Sequence, residues 1–228
     1  MVGAMAKPPA KRNPLPPAEK ARIEEIFHRF LALSDDPRTE LSYDGPYTLV
    51  TAVALSAQAT DVSVNKATAR LFAVADTPQK MLALGEEGLI PHIASIGLYR
   101  TKARNVLAAA RMIMEQHGGE VPLNREALQA LPGVGRKTAS VVLNELRIEP
   151  AIAVDTHVFR VAHRLKLSTG KTPDQVEADL MAAVPEPYLT RAHHWLILHG
   201  RYTCVARRPK CEDCPVADLC PSKLLFVR

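Results

Sequence analysis

Residues 128–142 of this 228-residue chain read LQALPGVGRKTASVV, two helix-favouring runs separated by a glycine-containing turn. A helix-favouring stretch ends at about Leu131, and a second one begins near residue 136. The turn sequence PGVG lies between them, and two glycines two residues apart permit backbone dihedral angles that other residues rarely adopt. The segment therefore predicts two helices joined by a tight turn, with N–H groups exposed at the start of the second helix.

The exposed N–H groups of such a turn attract anions, so Gly133, Gly135 and Arg136 are candidate contacts for phosphate groups. With helices predicted on both sides, LPGVG resembles the helix–hairpin–helix motif, which binds DNA. The alternative interpretation is an ordinary tight turn between two packed helices. A glycine pair alone would not separate the two, and the flanking helices favour the DNA-binding motif.

Lys137 stands in the first turn of the second predicted helix, directly after the glycines. A neutral lysine amine is a nucleophile that can form a covalent intermediate with a substrate. The competing interpretation is that the side chain binds a phosphate through its charge. Position in the sequence does not distinguish these two hypotheses.

Asp155 lies within residues 152–165, which read IAVDTHVFRVAHRL, between an apolar run and a predicted helix. Its place predicts a helix N-cap, in which the side chain accepts hydrogen bonds from backbone N–H groups. A carboxylate can also stabilise the positive charge that develops on a sugar when its glycosidic bond breaks. Both hypotheses can hold for one side chain.

Four cysteines form the pattern C-x6-C-x2-C-x5-C at Cys204, Cys211, Cys214 and Cys220. Four thiolates at this spacing can surround one compact metal centre. Structural zinc commonly uses two C-x-x-C pairs and only one is present, so the spacing favours an iron–sulfur cluster over zinc. Disulfides are a third possibility, disfavoured because the start of the chain does not resemble a signal peptide.

Three of the six residues between the first two cysteines are basic, namely Arg207, Arg208 and Lys210. A loop fixed by a metal centre and carrying three cations can clamp a phosphate backbone. The alternative is that these cations neutralise a negatively charged cluster, and the two roles are compatible.

Composition predicts an all-α fold of about ten helices. Hydrophobic residues make up 47% of the chain and aromatic residues 5%, and no period-2 strand pattern is evident. Residues 102–117 show a clear helical period that stops at Gly118 and Gly119, and Thr77-Pro78 and Thr172-Pro173 each place a cap residue before a proline at the first helical position. The net charge of +5 is concentrated towards the two ends, which suggests contact with phosphates. No apolar run approaches the ~20 residues that a membrane-spanning helix needs.

The motifs LPGVGRKTA and AVDTHVFRV and the cysteine pattern together resemble the bacterial endonuclease III family. The resemblance extends to LSAQATD at 55–61, IGLY at 96–99 and HHWLILHGRYTC at 193–204. It covers roughly residues 18–220 and implies two α-helical domains with the DNA groove and the active site between them. Residues 39–149 would form a six-helix barrel with the helix–hairpin–helix motif. Residues 18–38 and 150–228 would bind a 4Fe–4S cluster through the four cysteines, preceded by a disordered, proline-rich basic tail at 1–17.

The same resemblance implies a bifunctional glycosylase and abasic-site lyase that removes oxidised pyrimidines such as thymine glycol. Lys137 matches the family nucleophile and Asp155 its catalytic acid. Gln58 and Leu98, with Ile96 nearby, match residues that fill the gap left by the extruded nucleotide. The partner would be duplex DNA with a damaged base or an abasic site. We expect a monomer in the bacterial cytoplasm, associated with the nucleoid and not with a membrane.

Three alternatives remain at this stage. An adenine glycosylase of the same superfamily shares the hairpin, the aspartate and the cluster, but it generally lacks the lysine and has a further C-terminal domain. A DNA-binding module without catalysis would not need Lys137 and Asp155, and an iron–sulfur electron carrier would not need the hairpin. No role is assigned to residues 145–151 or 166–172, and the histidines at 193, 194 and 199 are expected to pack rather than bind metal.

Overall fold

The computed structural model describes residues 15–226, which contain helices and no β-strand. The α-helices are α1 (Pro17–Leu33), α2 (Pro46–Leu55), α3 (Asp61–Phe72), α4 (Pro78–Ile93), α5 (Tyr99–His117), α6 (Arg125–Ala130), α7 (Arg136–Glu145), α8 (Thr156–Arg164), α9 (Pro173–Ala183) and α10 (Leu189–Tyr202). Short 3₁₀ helices follow at Glu186–Tyr188, Ala217–Leu219 and Lys223–Leu225. The predicted all-α fold is confirmed. Most of the tail predicted at 1–17 lies outside the described residues, and Pro17 already begins α1.

The chain divides into two compact units. The first, Arg38–Ala151, contains the six helices α2 to α7 and is called the barrel unit. The second consists of the described parts of Met1–Pro37 and Ile152–Arg228 and is called the cluster unit. It contains α1 and α8 to α10, so the barrel unit is an insertion within the sequence of the cluster unit. No helix in the described part of the chain is long and apolar enough to cross a membrane.

All six helices of the barrel unit contribute fully buried aliphatic side chains to one core. One such residue from each helix in turn is Leu49, Leu71, Leu89, Ile113, Leu128 and Val142. Burying a side chain of this size contributes about 1.5–3 kcal/mol relative to leaving it in water. The helices are therefore held by their apolar stripes, as the helical period of residues 102–117 predicted for α5.

The cluster unit is built on the apolar stripe of α1. Ile23, Ile26, Phe27 and Phe30 follow the i, i+3, i+4, i+7 spacing that places side chains on one helix face, and all four are buried. They belong to one core with residues of α8, α9 and α10. Beyond the end of α1, the Ser34 carbonyl accepts a hydrogen bond of 2.9 Å from Trp195 Nε1.

Local sequence signals explain where several helices begin. The predicted caps at Thr77 and Thr172 are confirmed, because each hydroxyl accepts a hydrogen bond from the N–H of the third helical residue. Both threonines precede a proline at the first helical position, where its missing N–H has no consequence. The C-terminus of α5 is also as predicted, with Gly118 in the left-handed conformation at φ 61°.

The C-terminal end of α7 fixes the two segments through which the chain enters and leaves the barrel unit. The Glu145 carboxylate, whose side chain is fully buried, accepts hydrogen bonds from the Thr39 N–H and the Tyr43 hydroxyl. The next residue back, Asn144, accepts a hydrogen bond of 3.2 Å from the Ala151 N–H through Oδ1. Residues 145–151, to which the sequence assigned no role, thus belong to this anchor.

Candidate functional site

The hairpin between α6 and α7 is fixed by two buried side chains and one glycine. Leu131 and Val134 are buried, and the Val134 N–H donates to the Leu131 carbonyl at 3.0 Å. Gly133 between them has φ +80°, and a Cβ there would lie 2.9 Å from Cβ of Asn105 on α5. Both the left-handed backbone and the close approach therefore require glycine at this position.

The outer side of the hairpin is open to solvent. Gly135 is the N-cap of α7 with an extended backbone, and no atom lies within 4 Å of the place where its Cβ would be. A glycine cap has no side chain that could accept hydrogen bonds from the first turn, so those N–H groups face outward. Gly133, Gly135 and Arg136 are all exposed, which agrees with their proposed contact with phosphates.

Lys137 is the second residue of α7 and is exposed. The helix that carries it is firmly held, because Ala139 and Ser140 are buried and the Ser140 hydroxyl accepts a hydrogen bond of 2.8 Å from Arg125 of α6. Within the described residues, no hydrogen bond or ion pair engages the Lys137 amine. A rigid helix start thus presents an amine that a substrate can reach.

Asp155 caps α8, as the sequence predicted. Its Oδ1 accepts hydrogen bonds from the N–H groups of His157 and Val158, both at 2.8 Å. Since both bonds use Oδ1, the other carboxylate oxygen remains for a second contact. Asp155 belongs to the cluster unit and Lys137 to the barrel unit, and each is positioned by a helix N-terminus of its own unit.

The far end of α8 holds the beginning of the cysteine-containing segment. Arg160 donates to the carbonyls of Gly200 at 2.7 Å and Cys204 at 3.0 Å. Arg164 donates to the Val205 carbonyl at 2.7 Å and to the Ala206 carbonyl at 3.0 Å. One short helix therefore caps itself with Asp155 and also fixes the backbone around the first cysteine. The sequence did not reveal these arginine contacts, because their acceptors lie about 40 residues further along the chain.

The gap-filling candidates fall into two groups. Gln58 and Leu98 are exposed and have left-handed backbones, with φ of 56° and 60°. Such angles are unfavourable for residues other than glycine and often occur at functional positions. Ile96 is different, because it is 1% exposed and lies in the barrel core. Its predicted contact with DNA is therefore corrected to a supporting role beneath the neighbouring loop.

Lys102 is a residue that sequence reasoning missed. It lies on the apolar face of α5 and is 7% exposed, and its Nζ donates to the carbonyls of Leu55 at 2.9 Å and Ala57 at 2.7 Å. A signal was present in the sequence, since Lys102 shares a helix face with the apolar Val106 four residues later. A lysine on such a face needs buried acceptors.

The four cysteines surround one cavity in the cluster unit. Arg164, His199 and Lys210 also line it. All four side chains are partly buried free thiols, and Cys204, Cys214 and Cys220 also pack against the apolar core. Among the described residues, no three His, Cys, Asp or Glu side chains are placed to hold one metal ion. The fit to a polynuclear cluster thus rests on the donor set and the cavity.

Deprotonation of two of the thiols in this cavity is unfavourable without a bound metal. Burial raises the pKa of the Cys211 and Cys214 thiols, and the neighbouring thiols raise it further. Thiols in such a group bind a metal only as thiolates, so metal binding supplies the positive charge that makes their deprotonation favourable. Arg164 adds a hydrogen bond of 3.4 Å to Cys204 Sγ.

The three histidines of α10 are buried, as expected for packing residues, and only His199 lines the cysteine cavity. His193 and His194 are each 3% exposed. His199 lies with Nε2 at 3.8 Å from Cys214 Sγ, and burial lowers its pKa to about 4. The ring of His199 is therefore neutral near pH 7 and does not add to the charge around the thiols.

The basic loop extends outward from the cysteine cavity. Arg207, Arg208 and Lys210 are all exposed, and Arg208 has a left-handed backbone at φ 53°. The loop is closed at its base by a hydrogen bond of 3.0 Å from the Lys210 N–H to the Thr203 carbonyl. The three cations therefore stand on a short loop whose two ends are fixed.

Comparison with known proteins identifies the family. Residues 51–186 match the HhH-GPD superfamily of base excision DNA repair proteins, and residues 204–220 match the iron–sulfur binding domain of endonuclease III. Over 204 residues the chain is 55% identical to endonuclease III of Escherichia coli strain K12, covering 90% of this chain and 97% of that protein. The chain belongs to the endonuclease III family.

Further relatives agree with the family assignment. Endonuclease III of Haemophilus influenzae is 53% identical to this chain, and the alignment covers 90% of this chain and 97% of the relative. A structure of a trapped endonuclease III–DNA covalent intermediate aligns with a TM-score of 0.84 and 42% identity, covering 92% of this chain and 99% of that one. A thermostable thymine-DNA glycosylase, 24% identical, shares the fold with a TM-score of 0.81 over 91% and 99% of the two chains.

Family membership settles the class of activity. The chain is a DNA N-glycosylase and abasic-site lyase of base excision repair, with the helix–hairpin–helix fold and a 4Fe–4S cluster. The interpretation of the hairpin as an ordinary turn and the three alternative functions are thereby set aside. Zinc and disulfides are replaced as interpretations of the cysteine pattern by the iron–sulfur domain.

Proposed function

We propose that this enzyme removes oxidised pyrimidines of the thymine glycol type from duplex DNA, with Lys137 as the nucleophile. The observation that carries the proposal is the exposed amine at the rigid start of α7, directly after the hairpin turn. It is supported by the similarity to a protein whose covalent intermediate with DNA has been trapped. An amine forms such an intermediate as an imine, which an activated water cannot do.

The reaction begins with the damaged nucleotide rotated out of the duplex, at a cost that base damage reduces. The neutral Lys137 amine forms a bond to C1′ of the sugar. The bond from C1′ to the base breaks, and the base leaves with the bonding electron pair and the proton lost by the amine. The sugar ring then opens, O4′ takes up a proton, and C1′ and Nζ are joined as an imine.

The imine makes strand cleavage possible. It acidifies the C2′ proton, and when a base removes that proton the electron pair forms a C2′–C3′ double bond. The C3′–O bond breaks and the phosphate leaves, so the strand is cut on the 3′ side of the lesion. Water finally hydrolyses the imine and frees Lys137.

Asp155 assists through its charge and its position as the cap of α8. The carboxylate stabilises the positive charge that develops on the sugar as the glycosidic bond breaks. Its two short hydrogen bonds to backbone N–H groups fix its orientation. The oxygen not used in the cap is the one we assign to the substrate.

The remaining site residues position the DNA. Gly133, Gly135 and Arg136 of the hairpin and Arg207, Arg208 and Lys210 of the basic loop contact phosphates. Gln58 pairs with the base left without a partner, and Leu98 wedges between stacked bases. We assign the hairpin and the gap-filling residues to a six-helix barrel domain of residues 39–149. The basic loop and the cluster belong to a domain of residues 18–38 and 150–228. The enzyme acts as a monomer on nucleoid DNA in the bacterial cytoplasm.

We assign Cys204, Cys211, Cys214 and Cys220 as the ligands of the 4Fe–4S cluster. When bound, the cluster supplies a covalent cross-link among segments that otherwise have little regular secondary structure. Arg160 and Arg164 hold the backbone at the first of these ligands. The basic loop thereby obtains a fixed base from which its cations reach the phosphate backbone.

Borohydride trapping on a duplex with a single thymine glycol tests the nucleophile. Borohydride reduces an imine to a stable amine, so wild-type protein should give a covalent protein–DNA band. Lys137→Ala should give none, while Lys171→Ala, which removes an exposed lysine from a loop of the cluster unit, should trap like the wild type. Base release without a trapped band by both wild type and Lys137→Ala would overturn the assignment and indicate a water-using enzyme.

A further inference from the structure

Lys102 connects two loops of the barrel unit that carry exposed, strained residues. Its Nζ contacts the carbonyls of Leu55, the last residue of α2, and of Ala57. Its backbone N–H donates to the Leu98 carbonyl at 3.0 Å, the first bond of α5. One residue thus touches the chain directly before Gln58 and at Leu98 itself.

The contacts at α2 satisfy a clear physical need. The last carbonyls of a helix have no partners within it and carry partial negative charge, so a cation is favoured there. Lys102 supplies that cation from α5, and it is 7% exposed. Burial lowers the pKa of Lys102, so the buried side chain depends on these two oxygens for its hydrogen bonds.

The positions next to these contacts are unusual. Gln58 and Leu98 both have left-handed backbones, and both side chains point into solvent, with Leu98 65% exposed. A left-handed conformation persists at such residues only when the surrounding structure enforces it. The two residues are 40 positions apart in the sequence, and Lys102 joins their loops, with its side chain at the Gln58 loop and its backbone N–H at Leu98.

The same face of α5 also meets the hairpin. Lys102 and Asn105 are three residues apart and share one face of α5, and Leu98 is the N-cap of the same helix. Asn105 lies against Gly133, where a Cβ would come within 2.9 Å of its own Cβ. Leu98, the Gln58 loop and the hairpin turn therefore all contact the same stretch of α5.

We propose that Lys102 is a positioning residue that locks Gln58 and Leu98 in a single geometry, so that both enter the duplex together when a nucleotide is extruded. The inference rests on the gap-filling roles proposed above for these two residues. Lys102 acts through the backbones of other residues and does not touch the substrate. Its contribution should therefore appear only when a base pair must be opened.

The test compares Lys102→Met with Lys66→Met under single-turnover conditions on two substrates. Methionine keeps the apolar stem and removes the donors, and Lys66 is an exposed lysine of α3 in the same unit. The first substrate is a thymine glycol duplex. The second is a single-stranded oligonucleotide with an abasic site, on which Lys137 can act without opening a base pair. Circular dichroism and thermal melting establish that each variant is folded.

We expect Lys102→Met to lower the rate of excision from the duplex about tenfold, because small misplacements of positioning groups reduce rates by such factors. Its rate on the single-stranded abasic substrate should stay within about twofold of wild type, and Lys66→Met should match wild type on both. Equal losses on both substrates, or no loss on either, would overturn the inference. If Lys102→Met does not fold, Lys102→Arg is measured on the same two substrates. The ratio of its rate on the duplex to its rate on the single strand, compared with wild type, then decides.

A different result of the same experiment would contradict the proposed function. If wild-type protein gives no borohydride-trapped product on either substrate, then Lys137 is not the nucleophile. That result does not depend on Lys102. A wild type that traps both substrates, combined with a variant impaired only on the duplex, supports the inference.

Discussion

Asp155 has two tasks that can be separated by substitution. Its Oδ1 holds the first turn of α8 through two hydrogen bonds of 2.8 Å, and its charge is available to a sugar that is losing its base. A helix cap contributes about 1 kcal/mol to stability, whereas removing an electrostatic contact with the transition state costs about 10²–10³ in rate. The catalytic task should therefore dominate the phenotype.

Asp155→Asn keeps a side-chain oxygen that can cap α8 and removes the charge. We expect a loss of stability below about 1 kcal/mol and a fall in single-turnover excision of about 100-fold. Thermal melting and excision from a thymine glycol duplex measure the two effects. Thr172→Ala, which removes only the cap of α9, should lower stability by about 1 kcal/mol and leave excision unchanged. Full activity of Asp155→Asn would show that capping is its only role.

Single residues also mark the limit of what the sequence predicted. Asp155 was predicted as a cap because a cap depends on residues two and three positions away. Lys102 was missed because its acceptors are 45 and 47 residues away and become its partners only in the folded barrel unit. Ile96 was predicted to contact DNA because it lies two residues before Leu98, whereas its side chain is buried in the core.

At the scale of elements, the hairpin distinguishes two glycines that look equivalent in the sequence. Gly133 has φ +80° and lies against Asn105, so the fold itself requires glycine at this position. Gly135 has an ordinary extended backbone and open space around the missing Cβ, so the described structure would accept another residue there. A glycine at such an exposed helix start leaves room for a ligand that approaches the backbone closely.

The pair Gly133→Ala and Gly135→Ala tests this distinction. Gly133→Ala should destabilise the protein by about 1–3 kcal/mol, since alanine at this φ is strained and its methyl group meets Asn105. Gly135→Ala should fold with nearly unchanged stability and bind duplex DNA about tenfold more weakly, because its methyl group obstructs a phosphate. Denaturant unfolding and a DNA-binding titration give the two numbers. Unchanged DNA affinity for Gly135→Ala would remove the hairpin from the DNA-binding surface.

Helix boundaries were predictable where the signal is local. The threonine–proline starts of α4 and α9 and the glycine stop of α5 are confirmed, because each depends on the preferences of one or two residues. The break inside α4 at Gly85, with φ 66°, was not predicted, since a glycine within an otherwise helical pattern does not reveal its dihedral angles.

At the scale of the whole molecule, the two units have separate apolar cores and different means of stabilisation. The barrel unit is held by six packed helices. The cluster unit ends in a segment after α10 that contains only short 3₁₀ helices, and three of its cysteines pack on the core. Arginines of α1 and α8 bind backbone carbonyls of that segment. We expect these contacts to hold the segment in place only when the cysteines are bound to the cluster.

Loss of the cluster should therefore affect one unit and leave the other intact. We expect Cys211→Ser to lose the visible absorption of the cluster and to be cleaved by trypsin first after the exposed Arg207 and Lys210. Fragments of the barrel unit should persist, as mass spectrometry of the digest would reveal. Glu212→Ser, an exposed neighbour in the same segment, should keep its cluster and resist trypsin like the wild type. Digestion of Cys211→Ser at the wild-type rate would mean that the cluster does not hold the loop.

The all-α architecture was predictable from composition and helical period, and the family resemblance supplied the division into a barrel and a cluster domain. The anchor at the end of α7 was not predictable, because Glu145 and Asn144 carry ordinary polar side chains whose partners lie at Thr39, Tyr43 and Ala151. Such pairings depend on the path of the chain between units, which no local pattern describes.

The insertion of one unit within the other affects how the protein is made. A ribosome completes α1 early, with Ile23, Ile26, Phe27 and Phe30 forming an apolar face whose core partners are not yet synthesised. The 114 residues of the barrel unit must follow before those partners emerge, which takes about 6–23 s at 5–20 residues per second. During that interval the barrel unit can fold by itself, while the apolar face of α1 stays exposed to solvent. Nascent chains of this enzyme should therefore bind chaperones through their first helix, and they should release them only after α10 has left the ribosome.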